Sequence, residues 1–212
     1  MSFLLSPSLM CADLGRLREE ILSLEAAGAD SYHIDIMDGE FVPNFALSWA
    51  DAAAVRKLTK RPLEVHLMVK NPLLHLPYAF ACGVDIIFIH LESGSFAECV
   101  RRIRAEGREA GMVLNPETPL EEAEDFLDEV DRVMLMRVKP GFAGQSAVPG
   151  IEERIAAFAA RRGQGVLCLD GNVGPDVVKK WKAQGVGSFV LGTSALFGKQ
   201  KLYAELMADL RQ

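Results

Sequence analysis

Hydrophobic and polar positions along the chain follow two alternating periods. From Tyr32 the segment Tyr-His-Ile-Asp-Ile-Met alternates with period two. His33, Asp35 and Met37 lie on one face and Ile34 and Ile36 on the other, before Asp38-Gly39 and Pro43-Asn44 turn the chain into a loop. Just upstream, Leu14, Leu17, Ile21 and Leu24 recur at helical spacing, with Asp13 as N-cap and Gly28 as stop. The same exchange of periods continues to the end. Strands are predicted over 3–8, 32–37, 63–69, 84–90, 110–115, 131–138, 165–170 and 188–192. Helices are predicted over 14–27, 48–58, 72–82, 95–106, 119–127, 150–160, 175–184 and 201–210. Ser95 is the expected cap of the fourth, and Pro119 opens the fifth.

Eight strand–helix units with no linker between them predict an α/β fold with a parallel sheet, closed as a (β/α)8 barrel in one domain over 1–212. An open doubly wound sheet is the alternative. Its glycine fingerprint is missing, because the first strand–helix turn, Ser8-Leu9-Met10-Cys11-Ala12-Asp13, has no glycine.

In a barrel, chemistry collects where inward-facing positions meet the C-terminal strand ends. The polar residues meeting both conditions are Ser8, His33, Asp35, His66, His90, Asn115 and Asp170. Buried, such groups need partners. A hydrogen-bonded polar core would provide them, and so would a divalent metal held by two histidines and two aspartates. Gly141 to Gln145, Gly171-Asn172 and Gly192-Thr193-Ser194 follow the last three strands, where barrels hold phosphates on backbone amides. Glycines ending strands for turn geometry would read the same. Met10, Met37, Met68 and Met136 share the inward parity, as core filler or as an apolar cap over a site.

Composition narrows the partners. A formal charge of −6 and a pI near 5.3 argue against nucleic acid. Cys11, Cys82, Cys99 and Cys168 have no CxxC spacing, which suggests free thiols in a reducing compartment. The N-terminus reads as neither signal peptide nor membrane span, so a cytoplasmic protein is expected, as a homo-oligomer with no membrane partner.

Seven segments, one near each of several strand ends, resemble the ribulose-phosphate 3-epimerase family. They are Ser6-Pro7-Ser8-Leu9-Met10, His33 to Asn44, Glu64 to Val69, Asn115-Pro116-Glu117-Thr118-Pro119, Pro140 to Gln145, Leu169 to Val173 and Gly192 to Phe197. The resemblance implies a TIM barrel of the ribulose-phosphate-binding type and a metal-dependent ketose-phosphate 3-epimerase. It implies metal ligation by His33, Asp35, His66 and Asp170, with zinc, manganese, iron, cobalt or magnesium as the ion. Asp35 and Asp170 would also be the acid/base pair. Ser8, Met37, Met68 and Met136 would line the substrate, and Gly144, Gly171, Asn172, Gly192 and Thr193 would surround the phosphate.

Ser8 to Asp13, Asn115 to Pro119, Phe142 to Gln145 and Gly192 to Phe197 look closer to the D-allulose-6-phosphate branch, with D-ribulose 5-phosphate as the alternative substrate. Arg137, Lys139, Leu91 and Asn172 depart from the family's usual residues. A decarboxylase or aldolase of the same barrel would carry Asp-x-Lys-x-x-Asp at a strand end. Strand three reads Glu64-Val65-His66-Leu67-Met68, without lysine. A non-catalytic sugar-phosphate binder would have no use for both aspartates.

Overall fold

Eight parallel strands run in the order β1-β8-β7-β6-β5-β4-β3-β2. They are β1 Leu4–Pro7, β2 Tyr32–Met37, β3 Leu63–Met68, β4 Ile86–His90, β5 Glu109–Leu114, β6 Arg132–Met136, β7 Val166–Asp170 and β8 Ser188–Leu191. A parallel bridge from Ser8 to His33 brings β1 back to β2 and closes the ring. Beside it, the Leu5 N–H donates to Asp30 Oδ2 at 2.8 Å. The fold is therefore the expected (β/α)8 TIM barrel. The computed structural model describes residues 3–161 and 165–212.

The α-helices are α1 Leu17–Ala26, α2 Trp49–Leu58, α3 Leu76–Ala81, α4 Phe96–Ala105, α5 Ile151–Arg161, α6 Pro175–Lys182 and α7 Tyr203–Arg211. Several boundaries differ from the periodicity, for physical reasons. Asp13 caps as expected, accepting from the Gly15 N–H at 3.0 Å, but the first turn, Leu14–Arg16, is a 3-10 turn. Gly15, the weakest helix former there, sits within it. Pro77 interrupts the third helix: its ring and missing N–H stop an α-helix from running on out of the 3-10 turn Pro72–Leu74.

The fifth helix is not α at all. Leu120–Phe126 is 3-10, with Glu121 and Glu122 in its first turn and no basic residue in its last. Further acids at Glu124 and Asp125 stand at helical spacing from Glu121 and Glu122, which they repel, and face the negative end of the dipole. Ser95 stands at the N-cap of α4 but has φ of 61° and makes no capping bond. The true capping box is at α2, where Ser48 and Asp51 satisfy each other's backbone N–H.

Inside and outside of the barrel separate as the strand parity requires. Ile34, Ile36, Val65, Leu67, Ile87 and Ile89 face the helices in one large buried cluster. Phe88, Val113, Met134, Met136, Cys168 and Val190 fill the barrel itself. Phe88 pairs in register with Gly111, where an added Cβ would sit 2.2 Å from the Phe88 ring. Only glycine allows that ring to plug the barrel below the site, burying apolar surface worth about 2 kcal/mol. Above the plug, the inward side chains turn polar.

Candidate active site and metal centre

Strand register makes the site. Asp35 pairs with His66, Met37 with Met68 and Met136 with Asp170, so inward residues near four strand ends stand level with their neighbours. His33, Asp35, His66 and Asp170 each offer one donor atom, and these atoms all lie within 4.8 Å of one another. His66 Nδ1 is 3.4 Å from Asp35 Oδ1 and 3.6 Å from Asp170 Oδ2. His33 Nε2 is 3.6 Å from Asp35 Oδ1.

These spacings are too long for good hydrogen bonds. His33 Nε2 and His66 Nδ1 are in fact buried without a hydrogen-bond partner. Two orphaned imidazole nitrogens facing two carboxylates fit a divalent cation better than a self-satisfied polar core. The mixed nitrogen and oxygen donor set suits the transition metals named above.

The other faces of these groups are tied down. His33 Nδ1 lies 3.3 Å from Glu64 Oε2, and Glu64 Oε1 accepts from Ser31 Oγ at 2.5 Å. Ser8 Oγ donates to Asp35 Oδ2 at 2.7 Å, leaving Oδ1 toward the histidines. His66 Nε2 meets His90 Nε2 at 2.8 Å, and His90 Nδ1 meets Glu92 Oε2 at 3.2 Å. Glu92 Oε1 accepts from the Asn115 N–H at 2.9 Å and from the Thr118 hydroxyl.

Charge follows from these contacts. Burial disfavours charged His33, but Asp35 and Glu64 outweigh it and hold its pKa well above the ordinary range. His66 is raised likewise: burial opposes, while Asp170 and Asp35 prevail. Asp35 shifts the other way, since the two imidazoles overcome its burial and pull it far below the carboxylate range. His90 behaves differently. Burial lowers it to about 4, with only Glu92 countering strongly. Glu92 is itself held near 2 against its burial, by His90, Thr118 and the Asn115 amide.

Above the donor cluster lies an open cleft. Asp35 and Asp170 form its inner wall, while His33 and His66 lie below and outside the lining. Ser8, Met37, Met68, Met136, Gly144, Gly171, Asn172, Gly192 and Thr193, the residues named from the sequence, all line it. Met37 and Met68 pack with Val42, Met10 and Phe41 as an apolar cap on one side. At the other end, Asn172 bonds the Gln145 carbonyl from its amide at 2.9 Å, tying the glycine-rich loop to the end of β7. An added Cβ at Gly192 would meet only Cys11 Sγ, at 3.4 Å, so the backbone there is open to the cleft.

Residues that the sequence reading did not assign also matter. Cys11 lines the cleft, its thiol pushed up to about 11 by burial and by the Asp35 charge. Glu64 shares the inward parity of His66, a period-two signal that could have found it. Glu92 lies past the end of β4, where no periodicity reaches. Asn115 contributes its backbone N–H to Glu92, while its side-chain oxygen is buried unpaired. Arg137 and Lys139 do not enter the cleft. Arg137 is buried on the helix side, bonding the Gly171 carbonyl at 3.2 Å and Glu152 at 2.7 Å. Lys139 is exposed and pairs with Glu117 at 3.3 Å.

The sequence profile described as "Ribulose-phosphate 3 epimerase family" matches residues 4–197. The chain belongs to this family. It is accordingly an isomerase, an epimerase acting on carbohydrates. Ribulose-phosphate 3-epimerase 1 from Cupriavidus necator is 37% identical over 98% of this chain and 91% of its own length. Ribulose-phosphate 3-epimerase from Bacillus subtilis is 38% identical over 92% of each chain. Among solved structures, a tryptophan synthase α-subunit from Pyrococcus furiosus superposes with a TM-score of 0.72 over 98% of this chain and 96% of that one, at 17% identity. That likeness speaks for the barrel alone. Among the described residues, no helix is long and apolar enough to cross a membrane.

Proposed function

We propose that this chain is a metal-dependent ketose-phosphate 3-epimerase that inverts C3 with Asp35 and Asp170 as its two acid/bases. The observation that carries this reading is the convergence of two unpartnered imidazole nitrogens on the two carboxylates that form the inner wall of one cleft. His33, Asp35, His66 and Asp170 would hold the ion. When bound, it would act as a Lewis acid and disperse the negative charge that develops next to the ketone.

The chain's own residues do the rest. The C3 proton is acidified by the neighbouring carbonyl, so one carboxylate removes it and the other delivers a proton to the opposite face. Ser8 fixes the Asp35 carboxylate by holding Oδ2, which leaves one oxygen free for the cation and the proton. Met37, Met68 and Met136 are nearly buried and roof the reacting carbon with polarizable apolar atoms that exclude water. The backbone around Gly144, Gly171, Asn172, Gly192 and Thr193 would receive the phosphate without needing a lysine or arginine.

For the substrate we favour interconversion of D-ribulose 5-phosphate and D-xylulose 5-phosphate. The names of the relatives support it. A second reading, D-allulose 6-phosphate to D-fructose 6-phosphate, rests on the four segments from Ser8, Asn115, Phe142 and Gly192, parts of which line the cleft. The deciding experiment compares kcat/KM for D-ribulose 5-phosphate, D-xylulose 5-phosphate and D-allulose 6-phosphate on metal-loaded protein. A clear preference for allulose 6-phosphate would reverse the order of the two readings, and no turnover of any would refute both. The reading keeps the protein as one catalytic barrel over 1–212, cytoplasmic and homo-oligomeric, with assembly read by sedimentation.

A further inference from the structure

His90 is fully buried beside the donor cluster, yet it is not one of the four donors. Its ring stacks on His66 with centroids 4.9 Å apart and 25° between planes. Its position raises a question of proton counting.

Glu92 answers it. Oε1 of Glu92 is already occupied by the Asn115 N–H and the Thr118 hydroxyl, and Oε2 faces His90 Nδ1. A carboxylate only accepts, so Nδ1 of His90 carries a proton. A neutral His90 then has a bare Nε2. Only one proton fits between that nitrogen and His66 Nε2 at 2.8 Å, so it belongs to His66. With its proton on Nε2, His66 has a lone pair on Nδ1, the nitrogen that lies unpartnered toward Asp35 and Asp170.

We propose that Glu92 and His90 are positioning residues that fix the tautomer of His66, keeping Nδ1 bare for a cation. This rests on the metal reading above. His33 reaches its carboxylate directly, through Glu64, and presents Nε2 to the cluster. His66 presents the opposite nitrogen and reaches its carboxylate only through a second imidazole. Outer partners of this kind orient the ring and raise the basicity of the ligating nitrogen. Neither Glu92 nor His90 touches the cleft, so their effect passes entirely through His66.

The substitution Glu92→Gln discriminates sharply. The Asn115 N–H must keep an acceptor, so the glutamine oxygen stays there and its NH2 turns to His90 Nδ1. His90 then carries its proton on Nε2, His66 Nε2 becomes an acceptor, and His66 Nδ1 is protonated toward the cluster. Zinc binding would have to reverse this whole chain.

The test uses full-length protein with zinc as probe. The chain has four histidines, so long-range proton–nitrogen NMR of 15N-labelled protein can assign each tautomer. Zinc-loaded wild type should show His66 protonated on Nε2 and His90 on Nδ1. Glu92→Gln should weaken zinc affinity about 10- to 100-fold in competition with a chelator. Glu92→Asp, which retains the acceptor charge, should recover part of that loss. A wild-type spectrum with His90 protonated on Nε2 would overturn the proposal, and needs no variant to fold. So would equal zinc affinity in wild type and Glu92→Gln. Wild type that binds no zinc, manganese, iron or cobalt would instead refute the metal reading itself.

Discussion

Asp35 and Asp170, on β2 and β7, converge on a single atom: His66 Nδ1 lies 3.4 Å from one carboxylate and 3.6 Å from the other. The two acids are held differently. Asp35 is buried and braced by Ser8, while Asp170 is more open, with its side chain 16% exposed. Two carboxylates that face one imidazole nitrogen but differ in access to solvent suit a reaction that takes a proton on one face and returns one on the other.

Purified protein should carry about one divalent transition metal per chain by elemental analysis. His66→Ala should remove both the metal and the turnover, since losing one of four donors opens the coordination shell. Chelator-treated wild type that keeps full activity would contradict this.

Metal binding should release protons. Without the ion, His33 is raised well above its ordinary pKa because Asp35 and Glu64 outweigh its burial, so its Nε2 holds a proton that a cation must displace. Apparent affinity should therefore fall as pH drops, with release persisting at pH values above the ordinary histidine range. Calorimetry in buffers of different ionisation enthalpy reads the number directly. Release that vanishes already at neutral pH would show His33 to be unperturbed.

Gly171→Ala should cost stability. Gly171 has φ of +93°, and an added Cβ would sit 2.6 Å from Val138 Cγ2 and 3.0 Å from the Val138 nitrogen. Backbone strain alone is worth about 1–3 kcal/mol, and the clash adds to it. Denaturant unfolding checks the loss. Gly144→Ala shares the positive φ, at +79°, but meets nothing within 4 Å, so it should cost less.

Gly192→Val should fold yet discriminate among substrates. Cys11 Sγ is the one neighbour of the added Cβ, so the larger side chain projects into the cleft. If phosphate approaches the backbone here, kcat/KM for phosphorylated ketoses should fall about 10- to 100-fold, the value of a charge-assisted hydrogen bond. Unphosphorylated sugars should already react slowly and change little. An equal loss for both would remove the phosphate from this end.

The readable part of this molecule is the part that periodicity governs. Inward parity on β2, β3 and β7 is a direct consequence of strand geometry, so His33, Asp35, His66 and Asp170 could be placed together before any coordinates. What the pattern could not reach lies in turns and across elements. Glu92 acts through a turn after β4, and its partners Asn115 and Thr118 come from the next strand end. Arg137, one residue past Met136, departs from the family's usual residue yet does not enter the cleft. Its outward parity takes it instead to Glu152, which also accepts from Lys180 and Trp181. The 3-10 turn at Leu120–Phe126 shows the opposite failure, with apolar spacing that promised a helix undone by accumulated like charge.

The central claim is that Asp35 and Asp170 are separate bases on opposite faces of C3. A single-turnover reaction in D₂O tests it most directly, with the preferred ketose phosphate and protein of measured metal content. Two bases predict solvent deuterium at C3 of the product while unreacted substrate gains little. Product that retains its original C3 hydrogen would contradict the claim and leave a single shuttling base.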